Sequence, residues 1–128
     1  MGSKEVITGV TVTWNDADEA KYPKFEFKDG PRDKSVIPKS KNDEFTPSRI
    51  VVDLKLDLGD PSVSKVTLTN AHVKVVYAVP AGKSGPPTVG WWNGRKWVKF
   101  KQFVYANNVF DVTLPPSWPV DPPVGTGP

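Results

Sequence analysis

Val89-Gly90-Trp91-Trp92-Asn93-Gly94-Arg95-Lys96-Trp97-Val98-Lys99-Phe100 carries three of the five tryptophans in a chain of 128 residues. Asn-Gly between two alternating aromatic runs marks a β-hairpin, because both central residues of a type I′ turn need positive φ. Two registers follow. With Asn93-Gly94 as a two-residue loop, Trp92 pairs with Arg95, Trp91 with Lys96 and Gly90 with Trp97. With a three-residue loop and a bulge at Gly94, Trp91 pairs with Arg95 and Val89 with Trp97. The two-residue loop is preferred, since it lays the Trp97 ring over the bare backbone of Gly90. It places Val89, Trp91, Val98 and Phe100 on one face and Trp92, Arg95, Trp97 and Lys99 on the other. That second face has two readings. It is a cross-strand tryptophan pair under lysine stems, adding about 0.5–1.5 kcal/mol beyond area burial, or an exposed aromatic platform for a sugar ring or a partner protein.

Outward from the hairpin, the same alternation recurs. Val6 to Trp14 sets Val6, Val10, Val12 and Trp14 against Thr11 and Thr13, a strand with one wet face. Tyr22 to Phe27 is a short strand with Phe25 and Phe27 on one side and Pro23 marking an edge. Ile50 to Leu58 is the cleanest: Ile50, Val52, Leu54, Leu56 and Leu58 inward, Asp53, Lys55 and Asp57 outward. Val63 to Thr69 resumes after Gly59-Asp60-Pro61, and a bulge or sheet-switching corner is expected at Asn70-Ala71, where parity changes before Val73, Val75, Tyr77 and Val79. Phe103 and Tyr105 pair with Phe110, Val112 and Leu114 across Asn107-Asn108, a second turn that tolerates positive φ. Seven to eight such strands with no helix predict an all-β fold, an antiparallel β-sandwich, immunoglobulin-like in the broad sense.

Between the strands lie the connections. Lys28 to Ser48 is polar and carries Pro31, Pro38 and Pro47, a length that in a small domain is functional or disordered. Pro80 to Pro87 is a glycine- and proline-rich loop. From Pro115 to Pro128, six of fourteen residues are proline and Trp118 is the only large apolar one. That segment reads as an extended polyproline-like tail or linker outside the sheet. Met1-Gly2-Ser3 has the look of a cloning remnant, so the domain is expected over 5–114, with 1–4 ahead of it and the tail over 115–128.

The chain is 38% hydrophobic and 24% charged, with net charge +3 spread along its length, a weak signal for nucleic acid. It has no cysteine, hence no disulfide, thiolate nucleophile or cysteine metal site. No apolar run reaches the roughly 18 residues of a membrane span. Asn15-Asp16-Ala17-Asp18-Glu19 clusters carboxylates but lacks the glycine-bearing loop of an EF-hand, and reads as a solvated loop or short helical turn with no metal. The lone histidine, His72, sits among alternating strand residues. No serine has a Gly-x-Ser-x-Gly setting, and no phosphate-binding glycine loop opens a helix. No catalytic residue and no cofactor is predicted.

Tyr77-Ala78-Val79-Pro80-Ala81-Gly82, Trp92-Asn93-Gly94-Arg95-Lys96-Trp97-Val98 and Asn108-Val109-Phe110-Asp111-Val112-Thr113-Leu114 together resemble the closing strands of immunoglobulin-like modules in prokaryotic surface proteins and phage virion proteins. The resemblance implies architecture and a structural or adhesive role, with no functional residue attached. The expected function is a non-catalytic structural or protein-interaction module, extracellular, on a cell surface or in a virion, acting on a protein partner or by self-assembly. The alternative is a carbohydrate-binding module gripping a polysaccharide through the hairpin. The candidate contact residues are Trp92, Arg95, Trp97, Lys99 and Trp118, with Asp111 a further hydrogen-bonding group in the carbohydrate case.

Overall fold

The chain is described by a computed structural model, which covers residues 2–30, 33, 35–79, 81–82, 85–120 and 122–127. Met1, Pro31, Pro80 and Pro128, assigned above to the cloning remnant, the loops and the tail, lie outside the described residues.

Alternation of β-branched and polar residues makes the first hairpin. β1 (Gly2–Ile7) pairs antiparallel with β2 (Val10–Trp14), Gly2 opposite Trp14. The expected single strand over 6–14 is thus split by a turn, in which Gly9 supplies φ +85. Asn15 then caps a four-residue helix, α1 (Asp16–Glu19), accepting from the Ala17 N–H at 2.9 Å. β2 continues the sheet to β6 (His72–Val76), β10 (Val109–Thr113) and β9 (Phe103–Ala106), in the order β1-β2-β6-β10-β9. The β9–β10 pairing is the expected one. Tyr105 faces Phe110 and Phe103 faces Val112, across Asn107 and Asn108 at φ 54 and 61.

The second sheet runs β3 (Glu26–Asp29), β4 (Arg49–Asp57), β12 (Pro123–Gly127), β7 (Thr88–Trp92) and β8 (Trp97–Lys99). A two-stranded piece, β5 (Lys65–Thr67) with β11 (Ser117–Pro119), completes the twelve strands of the described residues. Between β5 and β6, at 68–71, the chain changes sheets. Asp18 of α1, fully buried, holds that corner by accepting from the Thr69 N–H at 2.9 Å and its hydroxyl at 3.1 Å.

All pairs are antiparallel, and the two five-stranded sheets enclose one apolar core in a sandwich-like arrangement. Val12, Val73 and Phe110 come from one sheet and Phe27, Leu54 and Val89 from the other, each burial contributing about 1.5–3 kcal/mol. Trp118 lies within it, its ring 4.9 Å from Trp91 and 6.1 Å from Phe100.

Three expectations about this region are corrected. The strand count exceeds seven to eight, because the first strand is a hairpin and because the expected tail is structural. Residues 123–127 form the central strand of the second sheet, bonded to β4 on one side and β7 on the other, and all are buried. Pro and Gly count against a strand in isolation, but here the gap between β4 and β7 fixes the backbone and leaves no room for larger side chains. Lastly, a register shift opposite Val124–Gly125 leaves Val51 as an extra residue in β4. Val51 therefore joins the core beside the expected inward residues, Ile50 staying buried as well, and Asp53, expected in water, is 1% exposed where its backbone bonds to Asp29 and Gly30.

Candidate functional site

The tryptophan hairpin adopts neither expected register. Trp92 faces Trp97, Trp91 faces Val98 and Gly90 faces Lys99, closing a four-residue loop over 93–96. Asn93 causes this: its side-chain oxygen accepts from the N–H groups of Arg95 at 2.8 Å and Lys96 at 2.9 Å, and Gly94 takes φ +95. The loop is longer than the preferred one by two residues, an even number. The assignment of side chains to faces is therefore unchanged, with Trp92, Trp97 and Lys99 on one face and Trp91, Val98 and Phe100 on the other.

What covers the first face comes from elsewhere in the chain. Residues 38–48, part of the 28–48 connection read above as functional or disordered, lie over it. The Trp97 ring N–H donates to the Pro38 carbonyl at 2.8 Å, its backbone N–H to Asp43 Oδ1 at 2.8 Å, and its carbonyl accepts from Glu44 N–H at 2.9 Å. Lys99 N–H donates to Glu44 Oε1 at 3.0 Å. Phe45 meets Trp97 edge-on at 5.7 Å. The free edge of β8 is thereby occupied, and Trp97 is 0% exposed.

The sequence-predicted contact residues are accordingly separated. Trp97 and Trp118 are both fully buried, so neither offers a ring to a ligand. Trp92 is half-buried against Trp97 at a ring distance of 6.0 Å, while Arg95 and Lys99 are exposed. The paired-ring platform on the hairpin does not form, because its inner member is roofed by residues some fifty positions earlier in the chain.

Turning the hairpin over shows a different surface. Where β8 leads into β9, the open side of the two sheets holds a cleft of about 520 Å³. Trp91, Val98, Phe100, Leu68, Leu114, Pro115 and Pro116 line it, with Lys99, Lys101, Gln102, Thr69 and Thr113 at its polar parts. Its size falls within the range of small-ligand and side-chain pockets. Lys99 and Lys101 are exposed and form no ion pair among the described residues. Sequence reading missed this cleft, since its walls come from four separated segments. The usable signal was Trp91, Val98 and Phe100 on a common face.

Elsewhere the polar groups are mostly engaged with one another. His72 Nδ1 lies 3.0 Å from Asp111 Oδ1 and 3.4 Å from Thr113 Oγ1, and Nε2 lies 3.0 Å from Asn70 Oδ1. Carboxylate and hydroxyl sit on the same ring nitrogen, whereas a relay needs orienter and nucleophile on opposite nitrogens. Glu19 accepts from the Trp14 ring N–H at 2.6 Å. Among the described residues no three His, Asp or Glu side chains are grouped to hold a metal, and no helix is long and apolar enough to cross a membrane.

At the β3 edge, Lys24 and Lys28 lie 2.9 and 3.5 Å from Asp57, and Glu26 sits among Lys4, Lys24 and Lys28. The Gly59 N–H first, then Lys24, hold the Asp57 carboxyl down at about 2. Reciprocally, a hydrogen bond to Asp57 and its charge raise Lys24 above its ordinary value.

Compared with protein-family models, with curated proteins and with solved structures, this chain matches none.

Proposed function

We propose that this protein is a non-catalytic structural or protein-interaction β-sandwich module, immunoglobulin-like in the broad sense, of an extracellular, cell-surface or virion assembly, and that it engages a partner protein through the β8–β9 cleft. The observation that carries this reading is the pairing of an apolar interior at Trp91, Phe100 and Leu114 with a rim lysine, Lys101, whose ammonium group forms no ion pair among the described residues. Such a surface suits a segment that inserts an apolar or aromatic side chain and flanks it with acidic residues. The same-nitrogen arrangement at His72 supports the non-catalytic part of the reading.

Titrating short peptides with a central Phe or Leu between Asp or Glu residues, followed by tryptophan fluorescence, tests it. Binding that falls several-fold in a Lys101→Glu variant and with rising salt is the expected result. Binding of soluble polysaccharide that survives the lysine reversal and is lost in Trp92→Ala would replace this reading with the carbohydrate-binding one.

A further inference from the structure

We infer that the slot between β4 and β7, together with the β5 edge, also accepts the 117–127 segment of a second copy of this chain, so that two chains exchange β11 and β12. β12 is inserted between strands far from it in sequence, pairing Thr126 with both Arg49 and Val89. Removing it together with β11 would leave two facing rows of unpaired backbone groups and withdraw Trp118 from the core, a strongly receptive state for a matching strand.

The slot selects its occupant by size. A Cβ at position 125 would lie 3.0 Å from the Arg49 carbonyl oxygen and from Trp97 Cη2, and 3.1 Å from Pro47 Cβ. At position 127 it would lie 2.7 Å from the Thr46 carbonyl oxygen. A strand entering here must therefore be bare at two alternate positions and carry small or β-branched side chains between them. Val124-Gly125-Thr126-Gly127 has that pattern, so the sequence best fitted to the slot of one copy is the same segment of another.

β11 and β12 are joined to β10 through Pro115-Pro116, whose fixed φ values stiffen the connection and where the chain bends at Pro116. Pro116 is anchored by one backbone bond, its carbonyl accepting from Leu68 N–H at 2.8 Å. Opening there carries the whole segment outward, and every contact regained in a partner copy is one the single chain already makes. No new surface is required, so protein concentration during folding sets the balance. The inference goes beyond cleft binding and stands even if the cleft binds nothing.

Two measurements on the full chain test it. In size-exclusion chromatography with light scattering after refolding at low and high protein concentration, a species of doubled mass should grow with concentration; monomer alone at every concentration overturns the inference. For identity of the interface, an Arg49→Cys chain and a Thr126→Cys chain are refolded together and oxidised, with the doubly substituted chain as the control for an in-chain link. A covalent dimer in the mixture and in neither variant alone is expected. A dimer that forms without this link while the control links normally is held by another surface and also overturns the exchange.

Discussion

Phe45 occupies the space into which a Cβ at Gly90 would project, so a residue of the 38–48 segment and a residue of β7 fit each other as ring and gap. The Val98 carbonyl oxygen borders the same space and cannot move without disturbing the β7–β8 ladder. Gly90→Ala should therefore destabilise by about 3 kcal/mol, the upper end of overpacking costs. Phe45→Ala should cost a similar amount by opening the cover over Trp97. In the double variant the ring no longer clashes with the new methyl, and the two losses should fall short of additivity by about 1 kcal/mol in denaturant melts.

Trp97→Ala should cost about 3–5 kcal/mol, since it removes a fully enclosed ring packed on Phe45 and the ring N–H bond to the Pro38 carbonyl, while the backbone bonds to Asp43 and Glu44 remain. Trp92→Ala, removing a half-buried ring, should cost less than half as much. Similar losses from the two in a urea melt would mean that the cover over Trp97 does not hold in solution.

Thr126 Oγ1 and Trp118 Nε1 are buried without a hydrogen-bond partner among the described residues. Replacing such a group by an apolar one of like shape removes a desolvated dipole. Thr126→Val should thus be neutral or stabilising by about 1 kcal/mol, against a cost for Thr126→Ser. Trp118→Phe should lose much less than Trp118→Ala. Thermal midpoints of the four variants check both statements.

Asp57 is ionised more easily in the folded protein than in the unfolded chain, its pKa being about 2 against an ordinary 3.8. Its contribution is therefore complete above about pH 4 and is lost as pH falls towards 2. Asp33 and Asp60, lowered by hydrogen bonds from Ser35 and Ser62, act with the same sign. Lys24 acts oppositely: its raised value contributes below its ordinary 10.5 and is lost as pH climbs through the folded value. Stability measured in urea should fall below pH 4, and Asp57→Asn should make that fall shallower. An unchanged acid limb would remove Asp57 from the account.

By itself, the sequence determined the all-β class, the Asn107-Asn108 hairpin with its register, and the division of the tryptophan hairpin into two faces. These depend on period-two alternation and on local turn chemistry, and face assignment survives any even change in loop length. Tertiary structure alone decided the rest. Asn93 chose the longer loop by bonding forward to Arg95 and Lys96, Phe45 and its neighbours roofed Trp97, and the cleft arose where segments around Leu68, Trp91, Phe100 and Leu114 meet. The same division explains β12. Pro123 and two glycines carry no intrinsic strand preference, and only a gap of fixed width between β4 and β7, roofed by Trp97 and Pro47, turns that stretch into the middle of a sheet.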